Sequence, residues 1–270
     1  MVINFKQMNF TASIKQKNTI TEINNLKTTI MTTLAKITIA LIMAFIMSSC
    51  AFDVNFGQGK SGNGEVVKDR REVTEDFTVV SASEGLDVFV AQGSDFEIMV
   101  EADENVIDLI GTDIKDGKLK VHAIQSIGRA TKKIYVTMPE ITSLNSSSGA
   151  DLVSEGMLEA EKIYLNASSG ADLKVELTAD EVEADCSSGA DIRISGKANL
   201  LYADASSGSD IKAKDFLVER CHANVSSGAD ISVNVSKSLT ADANSGGDIS
   251  YTGEASVQTK KSVSGSVHKY

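Results

Sequence analysis

Residues 163–173 read Ile-Tyr-Leu-Asn-Ala-Ser-Ser-Gly-Ala-Asp-Leu, and the pentad Ser168-Ser169-Gly170-Ala171-Asp172 within them returns along the chain. Ser-Ser-Gly-Ala-Asp also fills 147–151, 187–191 and 226–230, with SSGSD at 206–210 and NSGGD at 244–248. The glycines stand at 149, 170, 189, 208, 228 and 246, spaced 18 to 21 residues apart. Ser264-Gly265-Ser266 reads as a weaker seventh copy without the aspartate.

Aligned on glycine, the copies alternate with a period of two. Seven residues before it stand Thr142, Ile163, Val182, Leu201, Cys221 and Leu239, and three after it Leu152, Leu173, Ile192, Ile211, Ile231 and Ile249. Positions five and three before are mostly alanine, whereas four before is always Asn or Asp and two after is always Asp. Apolar-in, polar-out alternation is the pattern of a strand with one buried face. A strand unit repeated about every 20 residues with the same residue type in each column predicts stacking of one unit on the next. The fold class is therefore all-β, a parallel β-helix or β-solenoid over 141–270. The single proline, Pro139, fits, because proline cannot donate to an interior ladder. Glycine is expected to allow a sharp bend at each corner.

The columns also decide the cysteines. Cys221 falls among aliphatic residues and Cys186 among alanines, two rungs apart, or roughly 9.6 Å of stacking distance alone. A disulfide needs Cα atoms within about 7 Å, so two free, buried thiols are expected. Residues 71–140 lack the motif but keep alternation, as in Leu86, Val88, Val90 and Ile134, Val136, Met138. They read as an irregular β-rich part, providing first rungs or a cap, with a helical turn or two in 103–110 and a hairpin at Asp116-Gly117.

Six aspartates, Asp151, Asp172, Asp191, Asp210, Asp230 and Asp248, should form one outward row. Three uses are open: acceptors for backbone N–H groups at their own corners, oxygen ligands for Ca²⁺, or a polar ladder facing a partner. No catalytic residue is assigned. Three histidines do not recur with the serines, and regular rung lengths leave no room for the loops that usually build an active site. A polysaccharide-active enzyme is the less favoured alternative, and a structural envelope protein another. Aromatics are 5% of the chain, which argues against a stacking-based nucleic-acid binder and against a sugar-binding cleft that relies on large aromatic platforms. A net charge of −11 also argues against nucleic acid.

The amino-terminal region has a different character. Lys36, the apolar run 38–47 and Ser48-Ser49-Cys50 describe a signal peptide ending in a lipobox, with Cys50 as the lipidated residue. Met31 is the expected start, so 1–30 read as an upstream over-extension, 31–49 as the leader and 50–70 as a flexible tether. Removing 1–49 takes away five lysines and Glu22 and leaves 21 basic against 36 acidic residues. The expected address is the cell envelope, as an outer-membrane lipoprotein held by its lipid. No cofactor is expected apart from the Ca²⁺ alternative, and the expected partners are a membrane, through the lipid, and a glycan or envelope protein.

The lipobox, the segment EDFTVVSASEGLDVFVAQGSDFEIMVEAD at 75–103, GKLKV at 117–121 and the serial Ser-Gly-Ala-Asp motifs together resemble the auto-transporter adhesin, head GIN domain family of bacterial envelope proteins. The resemblance spans roughly Arg71 to Tyr270. It implies a β-helical domain of unassigned biochemical activity, and it carries over no catalytic or binding residue.

Overall fold

The structure, a computed structural model, describes Thr33, Lys36, residues 59–259 and residues 264–270. Thr33 and Lys36 belong to one unit, residues 1–56, and the solenoid to a second, residues 57–270. The over-extension, the leader apart from Thr33 and Lys36, and Cys50 lie outside the described residues. No helix among the described residues is long and apolar enough to cross a membrane.

Among the described residues, sixteen strands follow in chain order. Eight precede the long rungs: β1 (Val66–Arg71), β2 (Val79–Ala82), β3 (Asp87–Gln92), β4 (Glu97–Asp103), β5 (Ile110–Lys115), β6 (Lys118–Ala123), β7 (Lys132–Met138) and β8 (Ser143–Ser147). The rungs themselves are β9 (Asp151–Ser168), β10 (Asp172–Ser187), β11 (Asp191–Ser206), β12 (Asp210–Val225) and β13 (Asp230–Ala243). The chain closes with β14 (Asp248–Thr252), β15 (Ser256–Thr259) and β16 (Ser266–Lys269). Within 103–110 the helical content is one 3-10 turn, Ile107–Leu109.

Vertical stacking is confirmed residue by residue. β9 to β14 pair in parallel, with Asp151, Asp172, Asp191, Asp210, Asp230 and Asp248 directly opposite one another. The glycine-motif serines are also partners: Ser168 meets Ser187, which meets Ser206. The unequal rung lengths are absorbed at a different corner. Register shifts fall between Lys174 and Glu176, Arg193 and Gly196, and Ala213 and Leu217, with one more between Val218 and Arg220. Insertions thus bulge where two rungs can splay, and the motif columns stay aligned.

The bend involves more than glycine. At every copy the serine before the glycine is also left-handed, with φ from 49° at Ser245 to 57° at Ser207. Two successive left-handed residues make a type I′ turn, closed for example by Ala150 N donating to Ser147 O at 3.1 Å. A left-handed residue other than glycine costs about 1–3 kcal/mol. The turn orientation is held by an axial ladder. Each turn glycine donates its N–H to the serine before the glycine of the next rung, from Gly149 to Ser169 O through Gly246 to Ser264 O, at 2.8–3.2 Å.

That ladder begins one rung earlier than the repeat predicts. Gly85 N donates to Ser148 O at 3.1 Å, Glu84 and Gly85 are both left-handed, and Asp87 pairs with Asp151. Ser83-Glu84-Gly85-Leu86-Asp87 is therefore a further copy, 64 residues upstream of Gly149. β2 pairs with β8 and β3 with β9, while β6 and β7 lie in parallel on the other side of β2 and β3. The 71–140 region thus contributes two rungs. It also contributes a cap, because β4 runs antiparallel on β7, β1 antiparallel on β4, and β5 antiparallel on β6. The β5–β6 hairpin turns at Asp116-Gly117, both left-handed, as expected.

Two expectations need correction. β1 lies within the stretch read as a tether through residue 70, and Gly62 already donates to Arg129 O at 2.9 Å. The polar composition of 59–65 reflects backbone-bonded loops on the cap rather than a free linker. At the other end, Asp248 pairs with Ser266, so the seventh copy is one residue short and a serine takes the aspartate column.

The core is filled as the columns require. Leu173, Val182, Leu201, Ala203 and Ile211 are completely buried, and Phe77, Phe216 and Leu86 are among the largest fully buried side chains. Cys186 and Cys221 are free and buried, and burial pushes their thiols up to about 11 and about 12. Both should react with a thiol reagent at least about tenfold more slowly in the folded chain than after denaturation. Two thiols titrated at once under native conditions would contradict their placement.

Candidate binding face

The outward residues of each rung divide at a break in the alternation, where Asp180 and Glu181 are both turned away from the core. On one side lies the predicted aspartate row. Four of its six carboxylates, those of Asp172, Asp191, Asp210 and Asp248, meet side chains. Arg193 reaches Asp172 at 2.8 Å and Asp191 at 3.5 Å, and Lys212 reaches Asp191 at 2.6 Å and Asp210 at 3.0 Å. Each cation stands two residues after an aspartate and bridges two rungs, so the middle of the row is a charge zipper. Asp248 is contacted by His268 at 3.3 Å and by the Ser266 hydroxyl. The pairs are partly exposed and worth about 1 kcal/mol or less each. They offset the repulsion of stacked carboxylates.

Repulsion remains where cations are lacking. Burial, with Asp172 and Asp87 nearby, holds the Asp151 carboxyl above its ordinary value of 3.8. Burial also raises Asp230, with Asp210 and Asp248 adding and Lys212 opposing, and it raises Asp185, with Asp204 and Glu183 adding. A carboxyl whose folded value is raised binds its proton more tightly in the folded chain. Its stabilising contribution is full below 3.8 and is lost as pH rises through the folded value. The melting midpoint is therefore expected to climb as pH falls from neutral toward the window just above 3.8. A midpoint that declines over that range would contradict the strained row.

The other side carries four outward columns. Lys162, Glu181, Leu200, Arg220 and Ser238 form the first, and Tyr164, Glu183, Tyr202, His222 and Thr240 the second. Asn145, Asn166, Asp185, Asp204, Asn224 and Asp242 form the third, and the motif serines, ending at Asn244, the fourth. Lys162 bonds Glu181 at 2.7 Å and Glu183 at 2.5 Å and sits 4.7 Å from the Tyr164 ring centroid. Those contacts raise its pKa, Glu181 most. Tyr202 and His222 stack with centroids 5.1 Å apart and planes 12° apart. Asn224 donates to Asp204 at 2.8 Å.

Beside the rings runs a groove of about 390 Å³, lined by Asp185, Asp204, Asn224, Asp242 and Asn244 with the motif serines. A smaller recess of about 220 Å³ joins Glu183, Asp185, Tyr202 and Asp204. A wider trough of about 800 Å³ crosses the variable corner over a floor of Ala160, Ala179 and Ala198. Pairing places His222 in the tyrosine column, opposite Tyr202. What joins that column to the asparagine–aspartate column is the recess at Tyr202, and a recess between rungs has no signature in a single rung.

The family described as putative auto-transporter adhesin, head GIN domain matches residues 76–255. Three solved structures share the fold. A putative adhesin from Bacteroides fragilis NCTC 9343 is 17% identical with a TM-score of 0.72, covering 78% of this chain and 100% of its own. A putative lipid binding protein from Parabacteroides distasonis ATCC 8503 is 20% identical with a TM-score of 0.63, covering 78% and 98%. A putative adhesin from Parabacteroides merdae ATCC 43184 is 19% identical with a TM-score of 0.64, covering 79% and 99%. No curated protein matches the chain. At these identities the structural likeness is one of fold, whereas the sequence match spans most of the solenoid and both halves in order. The chain belongs to the putative auto-transporter adhesin, head GIN domain family.

Proposed function

We propose that the protein is a non-catalytic binding module of the bacterial cell envelope, lipid-anchored through Cys50 in the outer membrane, that presents one long face of its solenoid to a glycan or protein. One observation carries this reading. Outward polar columns keep register over five rungs beside a groove, because length changes are taken up before the first of these columns, at the variable corner and at the break between Val218 and Arg220. A rigid face with residues repeated every rung, roughly 4.8 Å, loses little conformational freedom on binding, which favours affinity for an extended partner. The names of the structural relatives, two putative adhesins and a putative lipid binding protein, support a binding role.

The test is a glycan and envelope-protein binding screen with the full chain, followed by substitutions along single columns. The expected result is a saturable partner whose affinity falls together for several residues of one column. Turnover of a polysaccharide, abolished by one or two aspartates and indifferent to the rest, would replace this reading with an enzyme. The aspartate row remains a proposed polar ladder, its middle positions paired with Arg193 and Lys212. A chelator is expected to leave the melting midpoint unchanged; a rise with added Ca²⁺ would assign the row a cation.

A further inference from the structure

Within that binding reading, on which this step rests, we propose that the Tyr164–Glu183–Tyr202–His222 column and the groove beside it recognise an unbranched, uncharged glycan lying along the solenoid axis. The chain has few aromatic residues, yet two of its five tyrosines and one of its three histidines share this column. Tyr164 and Tyr202 are 43% and 37% exposed, large rings that the fold leaves in water.

The ring geometry suits a sugar. A centroid separation of 5.1 Å at 12° between planes is an offset stack, which leaves part of each outer ring face uncovered. The C–H face of a pyranose covers such a ring well, as an apolar surface with polar edges. Those polar edges need donors and acceptors alongside, and the recess beside Tyr202 has Asp185 on one rung and Asp204 on the next. The Asn224 bond to Asp204 orients both groups and leaves each with capacity for vicinal hydroxyls. Tyr164 and Tyr202 are two rungs apart, roughly 9.6 Å, a spacing that matches the disaccharide repeat of an extended β-linked chain.

Charge narrows the class. Glu181, Glu183, Asp185, Asp204 and Asp242 outweigh Lys162 and Arg220 on this side. Uronate, sulfate or phosphate polymers would meet a like-charged surface and are disfavoured. Lys162 is already engaged by two glutamates and a tyrosine ring, so it adds no free positive charge for an acidic sugar.

Titration calorimetry of the full chain with chitohexaose and cellohexaose, both uncharged, tests the proposal against polygalacturonate and a chitosan hexamer. Saturable binding of an uncharged hexamer is expected, weakened at least about tenfold by Tyr202→Ala and kept by Tyr202→Phe. Asp204→Asn should weaken it as well, whereas Asp210→Asn, in the zipper on the other side, should not. Matching melting midpoints for the variants separate lost contacts from lost folding. The proposal is overturned if neither uncharged hexamer binds, if Tyr202→Ala binds as wild type, or if a charged polymer is preferred. A partner whose affinity responds only to aspartate-row variants would overturn this site while the binding module stands. No partner for any face would overturn both.

Discussion

Gly196→Ala should lose about 3–5 kcal/mol of stability, near the top of the range for a single substitution. Gly196 lies in β11 at the variable corner, with φ +109°, and it pairs with Leu177 of the rung before. A Cβ there would stand 2.0 Å from Leu177 O and 3.0 Å from its carbonyl carbon, both backbone atoms of the ladder. Neither can retreat without opening the β10–β11 pairing. Backbone strain accounts for about 1–3 kcal/mol and forced overpacking for a similar amount. The control is Gly189→Ala in the motif turn. Its φ is +69° and an added Cβ meets nothing within 4 Å, so only the left-handed strain of about 1–2 kcal/mol applies. Urea unfolding of the two variants decides the matter. Equal losses would mean that close approach is not what the corner glycine serves. The comparison also separates two uses of one residue type, since the invariant-looking glycine is the milder loss and the irregular one the more severe.

The sequence made the solenoid legible because stacking converts a chain period into a spatial column. Any residue type that must face the core, or turn the corner, then recurs at one offset, and Leu173, Ile192 and Ile211 could be placed from spacing alone. Three things escaped for physical reasons. The copy at 83–87 keeps Gly85 and Asp87 but replaces serine by Glu84 and alanine by Leu86, and β4 to β7 separate it from the rung it stacks on. Rung order in the amino-terminal part follows the sheet, not the chain, since β6 and β7 lie beyond β2 and β3. The shortened last copy is invisible to glycine alignment because hydrogen-bond register, not residue identity, places Ser266 under Asp248.

The candidate site was legible only in part. The aspartate row was foreseen as a row, but its backbone-acceptor use gave way to Arg193 and Lys212, which join it from the next outward column. The Asp-x-Arg and Asp-x-Lys pairs at 191–193 and 210–212 were readable signals. They become bridges only when a side chain two residues along can reach back one rung. The groove is a still larger step, because its walls come from two outward columns and four rungs at once. A repeat shows what each rung carries, while a binding face is a property of rungs taken together.

Asp103→Ala should cost about 3–5 kcal/mol, but at one end of the molecule. Asp103 closes β4, is only 3% exposed, and accepts the N–H groups of Gly64 at 2.5 Å and Thr131 at 2.6 Å. The carboxylate so fills its surroundings that a Cβ on Gly62 would lie 2.4 Å from its Cγ. One side chain therefore fastens the segment before β1 and the segment before β7 to the end of β4. Hydrogen bonds to a charged acceptor contribute about 1.5–3 kcal/mol each, and alanine removes the acceptor of two partly buried N–H groups. Asp103→Asn keeps the shape but offers one accepting oxygen in place of two, so about half the loss is expected. In a stack where each rung contacts only its neighbours, damage stays local. Hydrogen exchange should quicken at Gly64 and Thr131 while the ladder amides of Gly189 and Gly208 keep their protection. Uniform loss of protection along the whole solenoid would mean that cap and rungs unfold as one unit, and unchanged exchange at Thr131 would mean that the carboxylate does not hold the cap.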